Sequence, residues 1–185
     1  MRLFVAVPFP AEVKSELGKL IDDWRRERDK VGWVKKENLH LTLKFLGETP
    51  VEKLEALRTN LSSNLKSQST FTLSLSGAGA FPNLNRARVI WIGVSERKEK
   101  LVELAQKVEE ATRPLGFPTE ERDFSAHLTI GRVKDGGLSE PLLAKVRACI
   151  FEAKGIIVSE VILYQSKLAP GGSIYTPLAR FELAK

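Results

Sequence analysis

Leu39-His40-Leu41-Thr42-Leu43-Lys44-Phe45 and Ala126-His127-Leu128-Thr129-Ile130-Gly131-Arg132 decide the fold, because the second stretch repeats the first 87 positions on, from His40 to His127. In the first stretch the leucines and Phe45 alternate with His40, Thr42 and Lys44, a period of two that places the polar set on one face of a strand. In the second, Ala126, Leu128 and Ile130 face one way, and His127 and Thr129 the other. The same offset carries Leu3-Phe4-Val5-Ala6-Val7 onto Ile90-Trp91-Ile92-Gly93-Val94. It also carries the helix start at Val51 onto Leu138 and the strand start at Phe71 onto Val158. Alternating α/β chains often self-align loosely, but the identical His-Leu-Thr match argues for a duplicated strand-helix-strand-helix-strand lobe. Two such lobes about a pseudo-twofold axis set equivalent residues facing each other across a cleft.

Residues 1–185 read as a single bilobal domain, with a first repeat over about 1–76, a connecting loop over 77–87, a second repeat over about 88–164 and a final strand region over 165–185. Strands are predicted at Leu3–Val7, Leu39–Leu46, Phe71–Ser76, Arg88–Val94, Ala126–Val133, Ile156–Tyr164 and Ile174–Leu183. Apolar residues at helical spacing mark four helices. The first carries Val13, Leu17, Leu20, Ile21 and Trp24, and the second Leu54, Leu57, Leu61 and Leu65, opened by a capping box at Thr49-Pro50-Val51-Glu52. Ser95 is predicted to cap the third (Leu101, Leu104, Ala105, Val108) and Ser139 the fourth (Leu142, Leu143, Val146, Ile150). Gly77-Ala78-Gly79 and Pro82-Asn83-Leu84-Asn85 read as loop, and Gly171-Gly172 as a turn between the last two strands.

The net charge is +6 and the pI about 9.5, which favours an anionic partner such as nucleic acid, although a solvated lysine excess reads the same way. No apolar run approaches the ~20 residues of a membrane span. Met1 to Pro10 lacks the features of a signal peptide. Cys149 is the only cysteine, so no internal disulfide forms, and a cytoplasmic location is the simplest expectation.

Each lobe thus offers an imidazole and a hydroxyl side by side, about 6.6 Å apart along a strand. Histidine is the side chain able to act as acid or base near neutral pH. Two imidazoles on opposite sides of a bond suit in-line displacement at phosphorus, one deprotonating water and the other protonating the leaving oxygen. Threonine hydroxyls suit the non-bridging phosphate oxygens, whose charge grows in the transition state. A zinc site needs three or four grouped ligands, which two histidines and a distant cysteine do not supply. There is no Gly-x-Ser-x-Gly and no phosphate-binding Gly-x-x-x-x-Gly-Lys-Ser/Thr. No cofactor and no metal are expected.

The paired His40-Leu41-Thr42-Leu43 and His127-Leu128-Thr129-Ile130 resemble the His-x-Thr-x motifs of the two-histidine (2H) phosphoesterase superfamily, and within it the RNA 2′,3′-cyclic phosphodiesterases, historically called 2′-5′ RNA ligases. The flanks match too: Arg2-Leu3-Phe4-Val5-Ala6-Val7, Glu37-Asn38-Leu39, Lys44-Phe45-Leu46-Gly47-Glu48, Arg88-Val89-Ile90-Trp91, Gly131-Arg132, Gly172-Ser173-Ile174-Tyr175 and Leu178-Ala179-Arg180-Phe181. The resemblance implies an α+β fold of two lobes with largely antiparallel sheets forming a central cleft, helices outside. It implies hydrolysis of 2′,3′-cyclic phosphate RNA ends to 2′-phosphomonoesters, His40 as proton donor and His127 as proton acceptor. It also implies a reversible ATP-independent 2′-5′ ligation. Thr42, Thr129 and Arg132 are the implied substrate contacts. A regular strand turns Arg132 away from His127, and a bulge after Gly131 would restore it. Arg86, Arg88, Tyr175 and Phe81 are weaker candidates for the mouth, and Trp33 and Trp91 read as core.

The expected partner is RNA with 2′,3′-cyclic phosphate ends, tRNA fragments among them, handled by a monomer with no membrane and no required protein partner. Rival readings are a phosphodiesterase of cyclic nucleotides or ADP-ribose cyclic phosphate, and a non-catalytic RNA-binding module.

Overall fold

The computed structural model describes residues 1–27, 29–135 and 137–185. The strands are β1 (Arg2–Pro8), β2 (Val31–Trp33), β3 (His40–Glu48), β4 (Phe71–Phe81), β5 (Val89–Glu96), β6 (His127–Val133), β7 (Glu152–Val158), β8 (Glu160–Ala169) and β9 (Gly172–Glu182). The helices are α1 (Ala11–Trp24), α2 (Leu54–Leu65), α3 (Lys98–Thr112) and α4 (Glu140–Arg147). Two sheets form, in the orders β3-β1-β8-β9 and β2-β6-β5-β4-β7, with every neighbouring pair antiparallel. The α+β class expected from the sequence is the one observed.

The halves interlock. The offset equates β3-β1 with β6-β5, yet the strand that completes each sheet comes from the other half: β8 pairs with β1, and β4 with β5. Helix α3, from the second half, packs on β3 of the first and against α2.

Apolar spacing explains the elements. Val13, Leu17, Ile21 and Trp24 recur every three or four residues on α1 and are buried. Leu57, Leu61 and Leu65 do the same on α2, and Leu101, Leu104, Ala105 and Val108 on α3. Leu3, Val5 and Val7 on β1 and Leu41 and Leu43 on β3 meet them in the core. Each such side chain gains about 1.5–3 kcal/mol on leaving water.

Several sequence expectations are corrected. Gly77–Phe81 is not loop: β4 runs through Phe81, and Gly79 leaves room for the Trp91 ring. The strand expected at Ile156–Tyr164 is two, cut at Ser159. Val158 pairs with Phe71 in one sheet, and Glu160 with Glu182 in the other. The expected box at Thr49 does not form, because its hydroxyl donates to Gly47 O at 3.2 Å and a 3-10 turn over Val51–Lys53 precedes α2. Ser95 lies in β5 and bonds Ser74 O, so α3 starts beyond Arg97 without a side-chain cap. Ser139 does cap α4, accepting from Leu142 N at 3.4 Å. The last hairpin turns one residue early, at Pro170-Gly171.

Candidate active site

Both histidine strands carry a bulge at the same duplicated step. In β3, Thr42 is opposite Ala6 and Lys44 opposite Val5, leaving Leu43 without a partner. In β6, Thr129 is opposite Trp91 and Gly131 opposite Ile90, leaving Ile130 without one. An extra residue moves everything beyond it to the other face. His40 and Thr42 therefore face the cleft as the alternation predicts, but Lys44 does not. It is buried at 3% exposure, and its Nζ donates to Glu109 Oε1 at 2.5 Å and Pro118 O at 2.7 Å. Phe45 takes the cleft side instead and is 55% exposed. In β6 the same slip brings Arg132 onto the face of His127 and Thr129, and Gly131 inward.

The imidazoles are held alike. Asn38 O lies 2.6 Å from His40 Nδ1, and Ser125 O lies 2.7 Å from His127 Nδ1. A carbonyl only accepts, so each Nδ1 carries the hydrogen and each Nε2 keeps its lone pair. Thr42 Oγ1 stands 3.0 Å from His40 Nε2 and donates to it while the ring is neutral. Burial pushes the His40 pKa down to about 4, the Asn38 carbonyl opposing and the Lys14 and Arg132 cations adding to the fall. His127 is lowered as well, by burial first, against the Ser125 carbonyl and with Arg132. Arg132 thus acts on both rings, and β3 and β6 are in contact. Both imidazoles are neutral at pH 7.

Aromatic groups line the two walls. Phe4 lies 4.9 Å from His40, stacks on Tyr164 at 5.2 Å, and Tyr175 stands edge-on to His40 at 5.3 Å. Opposite, Phe81 meets His127 edge-on at 4.9 Å and Trp91 at 5.3 Å. Trp91, expected in the core, shares the face of Thr129. A Cβ on Gly79 would stand 2.4 Å from its indole, so only glycine lets the ring lie across β4. Trp33 is half-buried against the core, as expected. Tyr175 and Phe81 reach the site, while Arg86 and Arg88 are exposed on the β4–β5 connection. Phe4, Tyr164 and Lys14 escaped the sequence reading. Phe4 was findable as the offset mate of Trp91 on a cleft-facing rung. Among the described residues no group of three or more His, Cys, Asp or Glu is placed to hold a metal.

Strands β3 and β6 are in contact and Arg132 acts on both rings, which brings two imidazoles, two hydroxyls and one guanidinium into one neighbourhood. The family model of the 2′-5′ RNA ligase superfamily matches residues 10–168. The chain is 42% identical to the RNA 2′,3′-cyclic phosphodiesterase of Archaeoglobus fulgidus, over 98% of this chain and 100% of that one. It is 35% identical to that of Methanothermobacter thermautotrophicus, over 99% of each. The crystal structure of Escherichia coli LigT complexed with 3′-AMP superposes with a TM-score of 0.78 at 32% identity, covering 100% of this chain and 98% of that one. With its full-length match and its paired His-x-Thr strands, this chain belongs to the 2′-5′ RNA ligase superfamily of 2H phosphoesterases.

Proposed function

We propose that the protein is an RNA 2′,3′-cyclic phosphodiesterase, hydrolysing cyclic phosphate ends to 2′-phosphomonoesters. The observation that carries this reading is the duplicated pair of Nδ1–H imidazoles facing one cleft beside Thr42, Thr129 and Arg132. Water attacks phosphorus and the P–O3′ bond breaks; one neutral imidazole takes the proton of the water at Nε2, and the other, which must first be protonated at Nε2 beside the bound phosphate anion, gives that proton to O3′. Thr42, Thr129 and Arg132 hold the non-bridging oxygens as their charge grows. By family resemblance His40 is the donor and His127 the acceptor, and the reverse step joins a cyclic phosphate to a 5′-hydroxyl as a 2′-5′ linkage. Fragments of tRNA are among the ends it would serve, in a cytoplasmic, monomeric enzyme.

The test is incubation with an oligoribonucleotide ending in 2′,3′-cyclic phosphate in the presence of a chelator. Conversion to the 2′-phosphate is expected, and persistence of the cyclic end sinks the reading. The deep depression of His40 favours a second assignment of roles, with the more readily protonated His127 as donor. A substrate with sulfur in place of O3′ decides between them, because a thiolate leaves without help. It rescues whichever histidine variant lacks the acid.

A further inference from the structure

The second wall continues past His127 into a strip of cations. Residues 76–94 and 126–134 hold Arg86, Arg88, Arg132 and Lys134 and no aspartate or glutamate. All four are exposed, and among the described residues none is in an ion pair. The nearest acid in sequence, Asp135, is held by Lys30 at 3.2 Å.

Backbone contacts join this segment to the site. A Cβ on Gly32 would stand 3.2 Å from Lys134 Cε, so the Lys134 side chain lies over the bare rung of β2 that faces Arg132. Arg88 N donates to Phe81 O at 2.8 Å, and Arg88 O accepts from Val133 N at 3.0 Å. The Arg88 backbone therefore stitches the residue whose ring touches His127 to the end of β6. Arg86 sits two residues earlier on a turn capped by Asn83 Oδ1 at 3.0 Å. The opposite wall carries Phe4, Phe45, Tyr164 and Tyr175, with the Lys14 cation acting on His40.

We propose that Arg86, Arg88 and Lys134 form a track for the backbone phosphates of the RNA strand upstream of its cyclic end, continuing from Arg132. The inference rests on the reading of the cleft as an RNA-end site. It predicts that the enzyme favours an RNA end over a cyclic mononucleotide through charge along one wall, with no base read there. Phosphate contacts of this kind are independent of sequence and weaken steeply with salt.

The experiment compares kcat/KM on adenosine 2′,3′-cyclic phosphate with that on di-, tetra- and octanucleotides ending in the same group. The octanucleotide is expected to exceed the mononucleotide by about tenfold at low salt, with the gain fading as salt rises. The combined variant Arg86→Ala, Arg88→Ala, Lys134→Ala brings the ratio towards one. The charge-keeping set Arg86→Lys, Arg88→Lys, Lys134→Arg retains it. A wild-type ratio of one, or a gain that survives the alanine set, overturns the track. Fluorescence anisotropy of an octanucleotide 2′-phosphate against salt reads the same wall without turnover. Should no cyclic end be hydrolysed, the RNA-end reading fails, while a salt-dependent affinity lost in the alanine set still upholds the track. A salt-independent affinity refutes it.

Discussion

Strands β3 and β6 share a histidine, a threonine and a bulge at equivalent positions, and end differently. Beyond the bulge β3 sends Phe45 to the cleft and Lys44 to the core, whereas β6 sends Arg132 to the cleft and Gly131 inward. His40 sits among Phe4, Tyr164 and Tyr175 with its Nε2 bonded to Thr42; His127 touches Phe81. A symmetric backbone thus carries an asymmetric pair: one imidazole enclosed by aromatics, the other with a guanidinium on its own strand. Acid–base chemistry needs such a difference, since two groups in identical surroundings have no reason to hold different protonation states.

The largest effect should come from erasing either member of the pair. His40→Ala and His127→Ala are each expected to lower kcat by about 10³-fold or more with the fold intact by circular dichroism. Near-normal turnover in one of them would break the equivalence. The next effect is on stability against pH. His40 binds no proton in the folded state above about pH 4, while the unfolded chain binds one below its ordinary value of 6.5. Its contribution is therefore present above pH 6.5 and lost as pH falls towards 4, a decline of about 3 kcal/mol. Denaturant titrations across that window should show the slope in the parent and a shallower one in His40→Ala; equal slopes would refute it.

Arg132→Met should reduce kcat/KM by about 10²-fold, the scale of losing one oxyanion donor. It should also raise the titration midpoints of both imidazoles in NMR, because Arg132 lowers both; movement of His127 alone would separate the walls. Lys44→Met should cost about 2 kcal/mol, less than a fully enclosed pair, because Glu109 keeps some access to water. A free energy of unfolding equal to the parent's would mean that the inward lysine does nothing for β3. The smallest effect is on the exposed ring: Phe45→Ser should change stability by no more than about 0.5 kcal/mol. A larger loss would place Phe45 in the packing of the first wall.

Much of this was readable from residues. The repeat, the four apolar helical faces and the two His-x-Thr pairs lie in local periodicity and self-similarity, which survive without coordinates. The bulges do not, since Leu43-Lys44 and Ile130-Gly131 continue a plausible alternation and only the partner strand shows the extra residue. Hence Lys44 was placed on the wrong face, and Arg132 was placed by family pattern against strand parity. The division at Ser159 left no trace either: Ile156 and Val158 are buried on one side of it, but Val161, Ile162 and Leu163 are all buried on the other, so no alternation marks the crossing between sheets. Gly77–Phe81 misled because small residues that read as a turn serve instead to seat Trp91. The choice of sheet for β4 and β8 is a long-range pairing, and no local pattern carries it.

That exchange of strands has a temporal consequence. As the chain is made, β1 comes first, yet its rung partner for Arg2 is Ser166, near the other end. The wall behind His40 therefore stays open along one edge until β8 has been made, and its last strand, β9, pairs with β8. Pairing over such separations slows folding and leaves strand edges uncovered meanwhile. Completion of the wall behind His40 should thus be a late step of folding, one that waits for β8 to reach β1.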